Sequence, residues 1–296
     1  MSGNTEVWTI RRLLEWTTPF FAKKQVDSPR LAAELLLSHV LKLPRIKLYT
    51  DYDRIVTERD LKQFRDLVQR ASTHEPIAYL TGTAHFFNLE FQVTKDVLIP
   101  RPETETLVEN VLQLARNQPG LESPRILDLC TGTGCIAAAI AQHLKNATVL
   151  AGDISEAAVA VARANIERLA LSARVIVEQG DLYEVLQKGV DVQPFNLIVA
   201  NPPYIPTSQI PSLDRNVKDF EPITALDGGL DGLVVHRKIL ASASNHLLSG
   251  GRVFLEIAFD QGPAAREMAV PLQQFEDVRV LKDFGGRDRV LTMKKR

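Results

Sequence analysis

The sequence lacks the features that mark several classes of protein. It has only 2 cysteines in 296 residues, which excludes a disulfide framework. Glycine and proline number 16 each, so the composition is neither collagen-like nor of low complexity. The longest apolar run, residues 135–141, is far shorter than the roughly 20 residues that cross a membrane. These absences leave a globular chain of ordinary composition, long enough for two domains.

Charge of one sign and targeting signals are also missing. The chain carries 35 Lys and Arg against 36 Asp and Glu, so neither sign is in excess. Bulk phosphate binding needs a basic face, which disfavours non-specific nucleic-acid binding. Residues 1–6 contain no basic leader followed by an apolar stretch, so no signal peptide is expected. We therefore expect a cytoplasmic protein with no membrane partner.

The two cysteines do not form a recognisable metal or redox pattern. Cys130 and Cys135 are not spaced as C-x-x-C, and none of the 6 histidines lies near them with ligand-like spacing. Small buried residues are the simpler interpretation of both. The sequence therefore predicts no metal site.

The N-terminal part of the chain reads as helical. Apolar residues recur at helical spacing behind Ser28-Pro29, where the serine is a candidate N-cap and the proline suits a first turn. A second helix follows Thr57, with Asp60 three residues later in a capping-box pattern. Residues 86–93 then alternate apolar and polar around Asn88, which predicts a short β-hairpin. Two prolines stiffen the connector at residues 98–102.

Beyond a turn-rich break at residues 117–124, strand and helix patterns alternate. This alternation predicts a mainly parallel sheet with helices on both faces, and the closing segments suit an antiparallel pair at its edge. Predicted strands cover residues 125–129, 148–153, 173–179, 195–200 and 251–256, and predicted helices cover residues 103–115, 135–144, 156–169 and 234–248.

The first predicted strand of this sheet runs into a glycine-rich loop that opens a helix. Gly132 and Gly134 allow a tight turn and a close ligand approach near the helix N-terminus. Asp153 ends the next strand, 21 residues after Gly132, where a carboxylate can accept both ribose hydroxyls. With Ala137, the glycines also satisfy the dinucleotide fingerprint, so the loop alone leaves an NAD-dependent dehydrogenase as a candidate.

Two further aspartates bear on which nucleotide binds. Asp128 enters the glycine loop, and its carboxylate suits a cationic ligand end, such as that of S-adenosylmethionine, better than a pyrophosphate. Asp181 ends the third strand, where it can accept from an adenine amino group or simply cap a helix. The pattern favours S-adenosylmethionine.

Asn201-Pro202-Pro203-Tyr204 is the most specific signal in the chain. It follows a strand at the carboxyl edge, where open α/β sheets place their chemistry. Asn201 offers a side-chain carbonyl and Pro202 a backbone carbonyl, while Pro203 holds Pro202 extended. Two fixed acceptors suit a planar amino group, and Tyr204 offers a flat face to such a substrate. Holding both hydrogens would turn the nitrogen lone pair toward a donor methyl, without a titrating base.

These motifs resemble one family over nearly the whole chain. Residues 128–134 and 201–204 are similar to the class I S-adenosylmethionine-dependent methyltransferases that act on amide or amino nitrogens. Residues 75–82, 98–105 and 220–222 further resemble the peptide chain release factor glutamine methyltransferases, the PrmC/HemK family. The resemblance implies methyl transfer to the glutamine of a Gly-Gly-Gln loop in class 1 release factors, giving N5-methylglutamine and S-adenosylhomocysteine.

The resemblance also implies an organisation and a set of site residues. It implies a helical substrate-recognition domain over residues 1–82, a β-hairpin linker over 83–100 and a Rossmann-like, seven-stranded methyltransferase domain over 101–296. The residues expected to bind the cofactor are Asp128, Cys130, Thr131, Gly132, Thr133, Gly134, Asp153, Asp181, Leu182 and Asn201. Those expected to bind the substrate are Asn201, Pro202, Pro203 and Tyr204, of which Asn201, Pro202 and Tyr204 are expected to be catalytic.

Two positions depart from the family pattern. Cys130 stands where glycine is usual, and Leu182 stands where an aromatic residue is frequent. The cysteine side chain should alter cofactor affinity slightly, and plain apolar contact should replace adenine stacking at Leu182.

Other functions stay open at this point. An adenine-specific DNA or RNA methyltransferase would present the same two donors to the tetrapeptide, but it would need basic surroundings. A dehydrogenase leaves the tetrapeptide unexplained, and an adaptor would not need an intact acceptor loop. The leading expectation is a monomeric enzyme whose partner is a release factor and which forms no stable complex with nucleic acid.

Overall fold

A computed structural model describes residues 7–187 and 193–296 of the chain. The expectation of no signal peptide concerns residues 1–6 and therefore lies outside the described residues. The chain divides into two compact units: the first ends at Thr83 and includes Asp214–Phe220, and the second comprises Ala84–Leu213 and Glu221–Arg296. Most of the expected linker, residues 83–100, thus lies within the second unit. The assignment of separate functions to the parts stays a prediction.

The first unit is helical. Leucine, phenylalanine and alanine side chains from its helices form one buried core. In order, the helices are α1 (Ile10–Lys23), α2 (Pro29–Leu41), α3 (Arg45–Thr50), α4 (Glu58–Ala71) and α5 (Ile77–Thr81), with the short α9 (Arg215–Lys218) from a later segment of the chain.

The two predicted helix starts differ in how they are capped. Thr57 accepts a hydrogen bond from the backbone N–H of Asp60 at 3.2 Å, and its hydroxyl donates to the Asp60 carboxylate at 2.9 Å. Helix α2 begins at Pro29 as expected, but the Ser28 side chain makes no capping hydrogen bond, and its backbone is left-handed with φ of 44°. Ser28 is therefore the N-cap residue as predicted, but its side chain does not cap the helix, because a left-handed residue lacks the extended backbone of a side-chain-capping N-cap.

The second unit contains a hairpin and the large sheet. Its helices and strands are β1 (Thr83–Phe86, beginning at the unit boundary), β2 (Leu89–Gln92), α6 (Glu105–Asn117), β3 (Arg125–Leu129), α7 (Cys135–His143), β4 (Thr148–Asp153), α8 (Glu156–Arg168), β5 (Val175–Gln179), β6 (Phe195–Ala200), α10 (Val234–His246), β7 (Leu247–Glu256), α11 (Gly262–Ala269), β8 (Phe275–Lys282) and β9 (Asp288–Lys295).

The sheet has seven strands in the order β5-β4-β3-β6-β7-β9-β8. The first five strands in this order are parallel, and β9 runs antiparallel to both β7 and β8. This arrangement confirms the mainly parallel sheet and the antiparallel pair at its edge. Since β3 lies between β4 and β6, the loops that follow these three strands meet at one edge of the sheet.

Neighbouring residues of β3 enter different cores. Ile126 packs with α6, α7 and α8 on one face, whereas Leu127 packs with α10 and α11 on the other. Both side chains are fully buried. A parallel sheet covered on both faces needs apolar residues at successive positions, which explains why Ile126 and Leu127 follow one another in β3.

The hairpin is anchored to the glycine loop. Phe87 and Asn88 form its turn in the left-handed region, with φ of 50° and 60°. The Asn165 side chain accepts from the backbone N–H of Gln92 at 2.7 Å and donates to the carbonyls of Gln92 and Thr133, each at 3.0 Å. The predicted hairpin is therefore confirmed.

Within the described ranges, no helix is long and apolar enough to span a membrane.

Candidate active site

The glycine loop leaves β3 through tightly turned backbone. Cys130, Gly132 and Gly134 are all left-handed, with φ of 58°, 54° and 79°. The backbone N–H of Thr131 donates to the Gly152 carbonyl at 2.9 Å, which fastens the loop to β4. A Cβ added to Gly132 would meet nothing within 4 Å, so that face of the loop is open to a ligand.

Asp153 holds the open side of this loop from the end of β4. Its Oδ2 accepts from the backbone N–H of Gly132 at 2.9 Å, and its Oδ1 accepts from that of Ser155 at 3.0 Å. Burial raises the pKa of the Asp153 carboxyl, and these backbone donors oppose the rise. Each carboxylate oxygen can accept more than one hydrogen bond. The residue can therefore hold the loop and still receive two ligand hydroxyls.

Asp128 lies beneath the loop and does not line the cavity. Its Oδ2 accepts from the Thr131 hydroxyl at 2.6 Å, and its Oδ1 has no hydrogen-bond partner among the described residues. Burial raises the pKa of this carboxyl to about 7. A cation bound above the loop would favour the ionised form.

The third strand contributes a turn to the same edge. The backbone N–H of Gly180 donates to the Asp153 carbonyl at 3.0 Å, which places the following residues beside the ribose-binding candidate. Asp181 is exposed and lines the cavity, and its backbone N–H donates to the Glu184 carboxylate at 3.2 Å. Leu182 also lines the cavity, with a left-handed φ of 47°.

The Asn201 amide is fixed from one side. It follows β6 directly, and its Nδ2 donates to Thr104 Oγ1 at 3.1 Å. This bond leaves Oδ1 as the acceptor of the side chain, and Asn201 itself lines the cavity. The residue therefore presents a carbonyl oxygen to a ligand.

The backbone of the tetrapeptide loop is clamped by neighbouring segments. The Tyr204 carbonyl accepts from Gln261 Nε2 at 2.9 Å. Gly232 packs against the same carbonyl, and a Cβ added there would lie 2.2 Å from that oxygen. Pro203 lines the cavity, whereas Pro202 is buried and Tyr204 lies behind the wall. The loop is consequently held in one conformation.

A carboxyl group is buried behind Asn201. Glu256 ends β7 and is fully buried, with the hydroxyls of Thr104 and Tyr204 facing it. Burial raises its pKa to about 7, while those hydroxyls and Arg289 oppose the rise. Burial beside this carboxyl also raises the pKa of Tyr204 far above its usual value. Sequence reasoning missed Glu256, because its chemistry depends on neighbours remote in the chain.

An ion pair with a buried carboxylate joins two segments of the family pattern. Arg101 Nη2 donates to Glu221 Oε1 at 2.6 Å, and the Glu221 side chain is 1% exposed. Burial raises the Glu221 pKa, and the Arg101 charge opposes the rise. The pair holds the connector next to the segment that begins with Pro222, and both segments line the cavity.

These elements enclose a cavity of about 400 Å³ within the second unit. That volume lies in the range of small-ligand and cofactor sites. The fold brings nine of the expected residues to its wall: Cys130, Thr131, Gly132, Thr133, Asp153, Asp181, Leu182, Asn201 and Pro203. The four that lie behind or beside the wall are Asp128, Gly134, Pro202 and Tyr204.

Several lining residues were not expected from the sequence as site residues. Thr104 and Arg101 belong to residues 98–105, whose family resemblance was the available signal. Val235 and Lys238 come from α10, where only a helical pattern was visible. Across residues 7–187 and 193–296, no group of three or more His, Cys, Asp or Glu residues is arranged to hold a metal ion.

Two segments of the chain match known protein families. Residues 12–82 match the PrmC N-terminal domain, and residues 103–213 match the methyltransferase small domain. The first match lies in the helical unit. The second covers the glycine loop and the tetrapeptide.

Full-length relatives agree with these matches. A curated release factor glutamine methyltransferase from Rhodopirellula baltica is 39% identical and covers 99% of each chain. One of the same name from Geobacter sulfurreducens is 40% identical and covers 98% of each chain. A solved methyltransferase from Pyrococcus furiosus is 23% identical, with a TM-score of 0.50, over 79% of this chain and 98% of that chain. This last likeness shows the fold alone.

Proposed function

The chain belongs to the family of release factor glutamine methyltransferases, and from this premise we propose a role for each residue at the cavity. It is a methyltransferase that acts on a glutamine side chain of a release factor. The observation that carries the residue assignment is the Asn201 amide. Its Nδ2 is held by Thr104, so its Oδ1 faces the cavity that also contains the glycine loop.

The glycine-loop side of the cavity would hold S-adenosylmethionine. Bound there, this cofactor supplies an electrophilic methyl group on a sulfonium centre. Asp153 would accept the ribose hydroxyls, because its half-buried carboxylate keeps lone pairs beyond those used by Gly132 and Ser155. The unpartnered Oδ1 of Asp128 beneath the loop supports a cationic ligand end nearby. Asp181 and Leu182 would contact the adenine.

The tetrapeptide side would hold the glutamine amide. Asn201 Oδ1 and the Pro202 carbonyl would each accept one amide hydrogen, which turns the nitrogen lone pair toward the methyl donor. Pro203 would keep the two acceptors aligned, and Tyr204 would support the loop. Orientation and electrostatic preorganisation then supply the rate enhancement. The nitrogen becomes acidic only after transfer, so its proton can leave to solvent without a dedicated base.

The substrate is a protein, and the charge of the chain suits one. With 35 basic and 36 acidic residues, the chain offers no general attraction to phosphate. We take the specific target to be the glutamine of the Gly-Gly-Gln loop. On this proposal the enzyme acts as a monomer in the cytoplasm, and the first unit contributes to recognition of the release factor.

Mass spectrometry of an unmodified release factor, incubated with this protein and S-adenosylmethionine, tests the proposal. We expect one added methyl group, located on the Gly-Gly-Gln glutamine by peptide sequencing. A release factor in which this glutamine is replaced by asparagine is the matched control and should stay unmethylated. Methylation at another residue, or of adenine in added DNA or RNA instead, would contradict the proposed target.

A further inference from the structure

Two buried polar groups lie next to Asn201: Thr104, which holds its Nδ2, and Glu256, which has no role in the proposed binding of substrate or cofactor. The Thr104 side chain is 1% exposed and that of Glu256 is 0% exposed. A buried carboxyl and hydroxyl destabilise a fold unless they are paired. Their position directly behind the substrate-binding amide calls for a functional explanation.

The sheet places Glu256 beside Asn201. Strands β6 and β7 are parallel neighbours, with Ala200 paired to Leu255. Asn201 follows Ala200 directly and Glu256 follows Leu255, so both stand at the same level of the carboxyl edge. Thr104 joins them from the turn before α6, 97 residues from Asn201 in the sequence.

The Thr104 hydroxyl can link Asn201 to Glu256 only by accepting from the first and donating to the second. It has a single proton and two lone pairs. A lone pair already accepts from Asn201 Nδ2 at 3.1 Å, so its proton is available to a different acceptor. The buried Glu256 carboxyl, whose pKa the Thr104 hydroxyl lowers, is an acceptor for this proton.

The Thr104 hydroxyl lies near the Glu256 carboxyl without forming a hydrogen bond to it. Neither carboxyl oxygen of Glu256 completes a hydrogen bond of full geometry among the described residues, although the hydroxyls of Thr104 and Tyr204 lie near enough to lower its pKa. A buried carboxylate strongly favours any donor within reach, because an unpaired charge is costly.

We propose that Thr104 and Glu256 are positioning residues that fix which end of the Asn201 amide faces the substrate. An ionised Glu256 only accepts, so it draws the Thr104 proton away from Asn201. Thr104 must then accept from Asn201 Nδ2, and Asn201 Oδ1 is left to receive a glutamine hydrogen. With the amide reversed, Nδ2 would face the glutamine N–H groups and repel them. This inference rests on the proposed role of Asn201.

The orientation of the Asn201 side-chain amide should therefore depend on pH. The Glu256 carboxyl has a pKa of about 7, raised by burial. Protonated Glu256 can donate to Thr104, and the requirement that Thr104 accept from Asn201 disappears. We therefore expect kcat to fall as the pH decreases through about 7.

The charged and titratable groups that face Glu256 come from several elements. Arg289 on β9 lowers its pKa, Glu103 raises it, and Tyr204 faces it as a neutral hydroxyl. The Glu256 charge contributes to the raised pKa of Cys135 on α7. His236 Nε2 on α10 lies 2.7 Å from the Glu256 backbone carbonyl. Burial lowers the His236 pKa to about 4 and raises that of Cys135 to about 12, so neither changes charge near pH 7.

Three variants test the arrangement by steady-state kinetics on a release factor and by calorimetry of cofactor binding. Thr104→Val removes the hydroxyl at nearly constant shape and should lower kcat at least tenfold, a loss typical of misplaced reacting groups. Thr104→Ser keeps the hydroxyl and should restore kcat to within about threefold of the original chain. Glu256→Gln should lower kcat and abolish its pH dependence near 7. Cofactor affinity should stay within about threefold in all three.

A matched control separates positioning from packing. Thr292 on β9 is buried like Thr104, but among the described residues its hydroxyl has no hydrogen-bond partner, and it does not line the cavity. Thr292→Val should leave kcat unchanged. Thr104→Val that folds and retains the original kcat overturns the inference, as does a Glu256→Gln enzyme with the original pH profile. Should Glu256→Gln fail to fold, the kcat values of Thr104→Val and Thr104→Ser test the inference without it.

Failure of the inference differs from failure of the proposed function. If Asn201→Ala loses activity while Thr104→Val keeps it, Asn201 acts without this support and only the inference is wrong. If Asn201→Ala itself keeps its activity, the proposed role of the tetrapeptide is wrong and the inference falls with it.

Discussion

The backbone N–H of Gly132 donates to the Oδ2 atom of Asp153 over 2.9 Å. One carboxylate thus braces the glycine loop after β3 from the tip of β4, where it also lines the cavity. Loop geometry and cofactor affinity are therefore expected to depend on the same side chain.

Substitution of Asp153 tests this dependence. Asp153→Ala removes both the acceptor for ribose hydroxyls and the brace on Gly132, so Kd for S-adenosylmethionine should rise at least tenfold, about 1.4 kcal/mol. Isothermal titration calorimetry measures the change. Asp66→Asn, an exposed aspartate on α4, is the control and should keep its affinity. Unchanged affinity in Asp153→Ala refutes the ribose assignment.

Asn201 should affect the chemical step more than cofactor binding. Asn201→Ala removes the carbonyl acceptor, and we expect kcat to fall on the order of 100-fold, as for loss of one preorganised hydrogen-bond partner. Its cofactor Kd should change less than about threefold. Single-turnover methylation of a release factor gives the rate. Asn110→Ala on α6, where Nδ2 donates to the Thr106 carbonyl at 2.8 Å, is the control. Comparable turnover in Asn201→Ala rules out its proposed role.

The Arg101–Glu221 pair should couple two segments of the cavity wall energetically. Arg101→Ala leaves the Glu221 carboxylate buried without its cation, so the free energy of unfolding should fall by about 3 kcal/mol. The double variant Arg101→Ala, Glu221→Gln removes the unpaired charge and should recover part of this loss. Urea denaturation of the original chain, of the single variants Arg101→Ala and Glu221→Gln, and of the double variant measures the coupling free energy. Strict additivity would show that the pair does not interact.

Asp128 should make the apo protein less stable as the pH rises. Its folded pKa of about 7 exceeds the ordinary value of 3.8, so the folded chain keeps a proton that the unfolded chain loses between those values. Stability then decreases from about pH 4 to 7, since the folded state binds more protons. The melting temperature of Asp128→Asn relative to the original chain should rise over this interval, because groups common to both cancel. A constant difference would contradict the raised pKa.

Cys130 should carry backbone strain. Its φ of 58° lies in the left-handed region, which disfavours any residue with a Cβ by about 1 kcal/mol. Cys130→Gly should therefore raise the free energy of unfolding, whereas Cys130→Ala should not. Thermal denaturation of both variants makes the comparison. Equal stability of the glycine and alanine variants would mean that the loop relaxes around the side chain.

Local patterns predicted the elements that carry the site. The strands ending at Leu129, Asp153 and Ala200 were predicted at their observed bounds, because each is a short apolar run that ends at turn or polar residues. The start of α2 was also predicted, but the conformation of Ser28 was not, since a positive φ on a non-glycine residue depends on its surroundings.

The sequence by itself determined the alternation of strands and helices, the glycine loop and the Asn-Pro-Pro-Tyr tetrapeptide, because these are set by residue type and spacing over short stretches. Only the tertiary structure decided which side chains support them. Thr104 meets Asn201 across 97 residues, and Arg101 meets Glu221 across 120. Such contacts depend on strand order and on how the connector packs against the sheet. Whether a polar group becomes buried, and which partner it finds there, is a property of the assembled fold.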